Sequence, residues 1–145
     1  MYSILPLAEE FSERIFSLER ECFEDPWSET AIRSAFSYPN ALIFGLFDGD
    51  SLIGYYFSSY VMQEAELMNL CVLPGYRRQG LGAKLLSHLK AILIQHGVKE
   101  LFLEVREGNL GARAIYRKTG FVKVGLRIAY YQNNGVNAVL MRSIQ

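Results

Sequence analysis

The sequence predicts a mixed α/β fold in which helices and strands alternate along the chain. Two observations carry this prediction. Some segments repeat apolar residues every three or four positions, as amphipathic helices do, and others are short apolar runs between turn residues, as strands are. Half of the 145 residues are hydrophobic, which is enough for one compact domain over residues 1–145 with a core of its own.

The N-terminal half of the chain predicts two helices and four strands. Residues 8–22 place apolar side chains at helical spacing, and Ser28 is suited to cap a second, short helix that ends before Pro39. The segment DGDS at residues 48–51 is a hairpin turn signal. The strands are predicted at residues 2–5, 41–47, 52–62 and 66–72.

The C-terminal half predicts two helices and three strands. The longer helix, at residues 81–95, carries leucine and isoleucine on one face and ends at Gly97. A shorter helix begins after the cap residue Asn109 and ends at Gly120. The strands are predicted at residues 101–105, 121–131 and 137–144, the last two around an Asn-Asn-Gly turn.

Composition excludes several classes of protein. No run approaches the roughly 18 apolar residues of a membrane span, and the N-terminus lacks the order of segments that defines a signal peptide. Cys22 and Cys71 lie far apart with no CxxC spacing, which favours neither a disulfide framework nor a zinc site. We therefore expect a cytoplasmic protein in a reducing compartment, without a metal or a membrane contact.

The formal net charge is zero, but the charges are unevenly distributed. Residues 1–29 are predominantly acidic, whereas residues 77–145 are predominantly basic. One interpretation is that these are ordinary solvated faces. The other is that the basic half meets an anionic cofactor and the acidic half a cationic substrate. No direct binding of nucleic acid is expected.

A glycine-rich basic turn, YRRQGLG at residues 76–82, directly precedes the predicted helix at residues 81–95. Glycines let a backbone approach a ligand closely, and the N-terminus of a helix attracts anions, so the segment predicts a phosphate site. The spacing differs from that of a Walker A loop, and a dinucleotide fingerprint would need a third glycine. Taken alone, the glycines are also compatible with a simple tight turn.

In its context this turn resembles the Arg/Gln-x-x-Gly-x-Gly/Ala loop that holds pyrophosphate in the GNAT superfamily of acetyl-CoA-dependent N-acetyltransferases. Other segments extend the resemblance over nearly the whole chain, to the ribosomal-protein-alanine N-acetyltransferases of the RimI type. These segments are PWS at 26–28, MNLCV at 68–72, PGYRRQGLG at 74–82, LEVR at 103–106, Asn109, IY at 115–116, GF at 120–121 and YY at 130–131.

The resemblance implies a GNAT fold, with a largely antiparallel central sheet that splays open where acetyl-CoA enters and helices on both faces. It implies that acetyl-CoA is the co-substrate and that a strand backbone pairs with its pantetheine arm. It also implies that Asn109 lies near the reactive end. The implied strand residues are Leu70, Cys71 and Val72, and those of the pyrophosphate loop are Arg77, Arg78, Gln79, Gly80, Leu81, Gly82 and Ala83.

Glu104 is the candidate general base. Strand alternation places it with Phe102 and Arg106, opposite the apolar side chains of the same strand. A carboxylate in the middle of an apolar strand is suited to accept a proton from an incoming ammonium, directly or through water. An ion pair with Arg106 or another basic neighbour is the alternative, and the resemblance favours the catalytic role.

Tyr116 is the second catalytic candidate. It follows Asn109 by close to two helical turns, so the two side chains and Ala112 share one stripe. From the residues alone, Tyr116 could equally be an aromatic anchor, while the resemblance assigns it as general acid to the departing thiolate. Proton transfer from a tyrosine to such a thiolate is uphill by about 2 kcal/mol, so hydrogen bonding to the thiolate is the larger expected contribution.

The resemblance places the substrate beside Trp27 and Tyr131 and implies that it is the N-terminal peptide of a protein, basic and ribosomal. Trp27 could also be core filler. Cys71, His88 and His96 are interpreted as structural, because no nucleophile–base pair or metal spacing includes them. The last hairpin departs from the usual family pattern, so lysine side chains and small amines remain alternative acceptors, and a silent acetyl-CoA-binding module is a third reading.

Overall fold

The computed structural model describes residues 1–131 and 136–145, with the backbone alone at residues 129–131. Seven strands and four α-helices are assigned in this part of the chain. The strands are β1 (Tyr2–Pro6), β2 (Leu42–Asp48), β3 (Ser51–Val61), β4 (Glu64–Val72), β5 (Glu100–Arg106), β6 (Val122–Tyr131) and β7 (Val136–Ile144). The helices are α1 (Ser12–Cys22), α2 (Glu29–Ala35), α3 (Leu81–Gln95) and α4 (Leu110–Lys118).

The strands form one sheet in the order β1-β2-β3-β4-β5-β7-β6. Five of the six neighbouring pairs are antiparallel, and only β4 and β5 run parallel. The predicted mixed, largely antiparallel α/β fold is confirmed. A helical crossover is required between parallel neighbours, and α3 supplies it here.

The two parallel strands separate partway along their length. β4 and β5 are paired from Glu64 opposite Glu100 to Leu67 opposite Leu103, after which both strands continue without pairing to each other. A β-bulge in β4 lies at this point, because Phe57 of β3 pairs with residue 69 and the next residue of β3 pairs with residue 67. The sheet is therefore splayed in its middle, as predicted.

Helices cover both faces of the sheet. We call the side on which α1 and α2 pack the α1 face, where Ile15, Leu18 and Ile32 contact sheet residues such as Phe57. The opposite side, the α3 face, is filled by five leucines of α3 and by inward-facing residues of β4, β5 and β7. Apolar side chains pack on both faces of the central strand β3, so this strand lacks the alternation of apolar and polar residues that a half-exposed strand shows.

Capping residues set the ends of several helices. The Ser28 Oγ accepts a hydrogen bond from Ala31 N–H at 3.0 Å, and the Asn109 Oδ1 accepts one from Ala112 N–H at 3.2 Å. Both predicted N-caps are confirmed. Gly97 and Gly120 follow α3 and α4 with φ of 75° and 98°, in the left-handed conformation that ends helices.

Two elements begin two or more residues away from their predicted start. A 3-10 turn at Glu9–Phe11 occupies the predicted start of the first helix, and α1 begins at Ser12, whose Oγ donates to Glu9 O. β4 begins at Glu64 because the β3–β4 turn is tight and uses Met62 at φ 56°, without the glycine that would signal it. In the described part of the chain, no helix is long and apolar enough to cross a membrane.

Candidate active site

The N-terminus of α3 is open to an anion. Gly80 precedes the helix at φ 75° and no side chain caps it, while acidic residues are absent from the first turn. The first hydrogen bond into this helix runs from Lys84 N–H to Gly80 O at 3.0 Å. The N–H groups of Leu81, Gly82 and Ala83 therefore have no acceptor within the helix and lie at its positive end.

Packing within the chain does not explain why residue 82 is a glycine. A Cβ atom built there would meet only Ile115 Cδ1, at 3.9 Å, which is ordinary contact. The missing side chain instead leaves space outside the helix terminus, as a close-fitting pyrophosphate requires. The Leu81 side chain is buried in the α3-face core and Ala83 is half-buried, so the polar groups that residues 81–83 offer are those of their backbone.

The polar residues of the turn anchor it to two strands. The Arg77 Nε donates to Val72 O at 2.9 Å, and Gln79 Oε1 accepts a hydrogen bond from the Tyr2 hydroxyl at 2.8 Å. Arg78 is exposed and adopts the left-handed conformation at φ 67°. Arg77 and Gln79 thus fix the turn, while Arg78 remains exposed to solvent.

Leu70, Cys71 and Val72 form the end of β4 beyond the splay. Leu70 and Val72 contribute to the α3-face core, whereas Cys71 faces α1 and is 5% exposed. One backbone edge of this segment pairs with β3, and the edge toward β5 has left that strand. An extended ligand can therefore add to this edge as a strand would.

Glu104 lies directly after the last β4–β5 pair, at the point where the strands separate. The predicted alternation is confirmed, because Leu103 and Val105 are buried while Glu104 faces the other side and is 18% exposed. The Arg127 guanidinium lies 3.3 Å from Oε1. The second oxygen, Oε2, is buried and has no hydrogen-bond partner among the described residues.

The basic partner of Glu104 is thus Arg127, one of the basic neighbours that the sequence left open beside Arg106. Arg106 forms an ion pair with Asp25, with 3.2 Å between the guanidinium and the carboxylate. This contact brings the loop between α1 and α2 to the end of β5. Glu66 also lies near: partial burial, and then the charge of Glu104, raise the pKa of Glu66, and Arg127 lowers it.

Tyr116 and Asn109 lie on α4, on the α3 face of the sheet. The Tyr116 ring is half-buried and meets the Phe121 ring edge-on with 5.6 Å between centroids. Ala112 packs on the same core, which confirms the predicted shared stripe. Asn109 is exposed, and its Oδ1 is engaged in capping α4. Tyr116 therefore has an anchoring role whatever its hydroxyl does.

Trp27 and Tyr131 are the two predicted substrate contacts. Trp27 is half-buried in the loop between α1 and α2, and its indole meets the Phe57 ring edge-on with 5.7 Å between centroids. Tyr131 ends β6, opposite Val136, and its side chain lies outside the described residues. The remaining candidates fit structural roles: burial raises the pKa of the Cys71 thiol, and His88 Nδ1 lies 2.9 Å from the Tyr56 hydroxyl.

Sequence reasoning missed a buried polar cluster behind Trp27. The Glu19 side chain is fully buried and accepts hydrogen bonds from Trp27 N–H at 3.0 Å, from the Tyr55 hydroxyl and from Asn69 Nδ2. A signal was present, because Glu19 follows Leu18 on the apolar stripe of α1. No cluster of three or more potential metal ligands occurs within residues 1–131 and 136–145.

The chain is similar to known acetyltransferases along most of its length. The model of the Acetyltransferase (GNAT) family matches residues 12–121. The ribosomal protein bS18-alanine N-acetyltransferase of Haemophilus influenzae is 36% identical over 132 residues, which cover 89% of each chain.

Solved structures show the same likeness. The crystal structure of the ribosomal-protein-S18-alanine N-acetyltransferase from Escherichia coli matches with a TM-score of 0.93 at 34% identity, covering 99% of this chain and 94% of that one. Arabidopsis thaliana NAA60 in complex with acetyl-CoA matches with a TM-score of 0.89 at 15% identity over 100% of both chains, a likeness of fold.

Proposed function

This chain belongs to the GNAT family of acetyltransferases, and we propose that its acceptor is the N-terminal α-amine of a protein, namely the N-terminal alanine of a small-subunit ribosomal protein. It is an acetyl-CoA-dependent N-acetyltransferase. The observation that carries the proposal is the position of Glu104, a carboxylate with one unpaired buried oxygen at the point where β4 and β5 separate. Residues 1–145 act as one domain in this proposal, and the cytoplasm, where ribosomal proteins are made, is the compartment.

Acetyl-CoA supplies the activated acetyl group as a thioester. The N–H groups of Leu81, Gly82 and Ala83 hold the pyrophosphate together with Arg78, while Arg77 and Gln79 keep the turn in place. The open edge of β4 at residues 70–72 pairs with the pantetheine arm. Asn109, at the start of α4, lies toward the reactive end. The uncapped helix terminus and the space beside Gly82 support this placement.

Glu104 accepts the proton that the amine must lose. Its Oε1 is paired with Arg127, so the unpartnered Oε2 is the oxygen that receives the proton, directly or through one water. Tyr116 acts from the opposite face of the sheet and donates a hydrogen bond to the sulfur as the thiolate departs. In this proposal, Glu104 as proton acceptor and Tyr116 as hydrogen-bond donor act on the gap between β4 and β5 from the two faces of the sheet.

A single carboxylate suits an α-amine better than a lysine. Releasing the proton of an α-amine at pH 7 costs about 1 kcal/mol, whereas releasing that of a lysine side chain costs about 4 to 5 kcal/mol. The acceptor peptide passes the loop that holds Trp27 and lies near Tyr131. The excess of acidic residues at 1–29 favours a peptide that is basic after its first residue.

The test is a competition followed by intact-mass and fragmentation analysis. One peptide begins with alanine followed by basic residues, a second has its α-amine blocked but contains lysine, and a polyamine is the third acceptor. We expect acetylation of the first peptide at its α-amine and none of the second. Faster acetylation of the blocked peptide or the polyamine would assign the enzyme to side-chain or small amines, and no transfer to any acceptor would favour a silent binding module.

A further inference from the structure

Glu19 is an acidic residue on the buried face of α1. Its side chain has no exposed surface, and its neighbours on the same stripe, Ile15 and Leu18, belong to the α1-face core. Removing a carboxylate from water is costly unless hydrogen bonds replace the lost hydration. Within the described residues, hydrogen-bond donors rather than a cation surround this carboxylate.

Two of those donors belong to the two sides of the candidate acceptor site. Oε1 accepts a hydrogen bond from Trp27 N–H at 3.0 Å, in the loop between α1 and α2. Oε2 accepts one from Asn69 Nδ2, at the β-bulge of β4, and one from the Tyr55 hydroxyl. Asn69 Oδ1 in turn accepts from Leu70 N–H at 3.0 Å, at the start of the open strand edge.

The loop that Glu19 holds reaches across the splay. Its backbone is bound at Trp27 to Glu19, which also binds Asn69 of β4, and its Asp25 carboxylate lies 3.2 Å from the Arg106 guanidinium at the end of β5. The loop therefore extends from one separated strand to the other on the α1 face, which is the face of Glu104. A displacement at its β4 end would move the wall against which an acceptor peptide lies.

We infer that Glu19 is a positioning residue that sets the α1–α2 loop against β4 and thereby places the acceptor amine relative to the acetyl group. This inference rests on the proposed function. Stability alone does not account for the carboxylate, since an apolar side chain on this stripe would join the α1-face core without the cost of removing a charged group from water. The presence of a carboxylate at this position is explained if its function is to hold Trp27 and Asn69, the two hydrogen-bond partners that lie at the acceptor site.

The variant that tests this is Glu19→Gln, with Tyr55→Phe as its matched control. Glutamine keeps the shape but offers one acceptor oxygen to three donors, and its amide N–H₂ opposes the Asn69 N–H₂. Tyr55→Phe removes a buried hydrogen bond from the same carboxylate but leaves the Trp27 and Asn69 bonds in place. Both variants thus disturb the same cluster. Only Glu19→Gln weakens the hydrogen bonds to Trp27 and Asn69, which hold the two walls of the site.

The measurements are steady-state kinetics with the alanine-led basic peptide, calorimetric binding of acetyl-CoA, and melting temperature. We expect Glu19→Gln to raise the peptide KM at least tenfold while acetyl-CoA affinity stays within threefold, and Tyr55→Phe to lower the melting temperature with the peptide KM within twofold. A peptide KM that is unchanged in Glu19→Gln, or that rises equally in both variants, would overturn the inference.

A second variant keeps the inference testable if Glu19→Gln does not fold. Asn69→Ala leaves the hydrogen bond between Glu19 and Trp27 in place and releases only β4. We therefore expect kcat to fall about tenfold while the peptide KM stays within twofold. An unchanged kcat would contradict the inference. Failure of the proposed function is distinguishable, because the wild-type enzyme itself would then leave the α-amine unmodified. A wild-type enzyme that acetylates this amine, with kinetically silent variants, refutes only the role of Glu19.

Discussion

The Arg127 guanidinium lies 3.3 Å from Glu104 Oε1, so a cation of the edge strand holds the candidate base. Arg127 is 51% exposed, which limits the strength of the pair, yet the nearby Glu66 adds a second carboxylate to its field. The cation therefore opposes the rise in the pKa of Glu66, and it occupies Glu104 Oε1 while Oε2 has no hydrogen-bond partner among the described residues.

Removing this cation should weaken catalysis. In Arg127→Ala, the Glu104 carboxylate loses the guanidinium that holds its Oε1, so the base is less well positioned and kcat/KM with the alanine-led peptide should fall about tenfold at pH 7. Arg127→Lys keeps a cation at this position and should lose less. A kcat/KM that is identical in all three enzymes would remove Arg127 from the description of the base.

Glu104→Gln should lower kcat/KM by about a hundredfold or more at pH 7, because the amide keeps the shape but cannot accept the proton. The defect should shrink as the pH rises past the ordinary pKa of an α-amine, near 8, since more of the acceptor is then already deprotonated. The measurement is the ratio of wild-type to variant kcat/KM between pH 6.5 and 9.5, with the alanine-led peptide.

Tyr116→Phe should lower kcat by about a hundredfold with little recovery at high pH, because the phenol is proposed to act on the departing thiolate and not on the amine. The phenyl ring retains the edge-on contact with Phe121, so the melting temperature should change little. The same pH-dependent recovery in the Tyr116 and Glu104 variants would contradict the separate roles.

The pyrophosphate site can be tested by a charge at the helix terminus. Gly82→Glu places a bulky anion where a Cβ has open space beside Ile115, so the fold should survive while acetyl-CoA affinity falls at least about tenfold through charge repulsion. Ser87→Glu adds the same charge on the exposed side of α3 and is the control. Calorimetry gives the affinity and circular dichroism the fold; equal affinities in the two variants would place the cofactor elsewhere.

Local signals in the sequence were sufficient for much of this fold. The bounds of α3 follow from leucine spacing and from left-handed glycines at both ends, Gly80 and Gly97, and these signals lie within the segment itself. The turn at Met62 could not be predicted in the same way. It adopts φ 56° without a glycine, because the pairing of β3 with β4 imposes the conformation.

The site was predictable in its residue types and less so in its partners. Strand alternation singled out Glu104 as a carboxylate within an apolar strand, but its pairing with Arg127 depends on the order of β5, β7 and β6 and on register shifts in β6. Such shifts change which face a side chain occupies and leave no mark in the sequence. Glu19 was missed for a related reason, since its three donors come from segments up to 50 residues away.

Glu19 should also give the protein a measurable pH dependence of stability. Burial raises the pKa of its carboxyl above the ordinary value, and hydrogen bonds from Tyr55, Trp27 and Asn69 lower it only in part. The folded protein therefore holds this proton more tightly than the unfolded chain does. The resulting contribution to the free energy of unfolding is complete below the unfolded value, near pH 4.3, and is lost as the pH rises through the folded value.

The difference in free energy of unfolding between wild type and Glu19→Gln isolates this contribution, because other titrating groups cancel. Glutamine cannot titrate, so the stability advantage of the wild type should be greatest near pH 4 and should diminish toward pH 7. Urea denaturation of both proteins at several pH values in this range gives the difference, and Glu10→Gln, at an exposed position, controls for the loss of one acidic group. If the stability advantage of the wild type instead grew as the pH rises, the fold would stabilise the ionised carboxylate. The hydrogen bonds to Glu19 would then more than compensate for the cost of burying its charge.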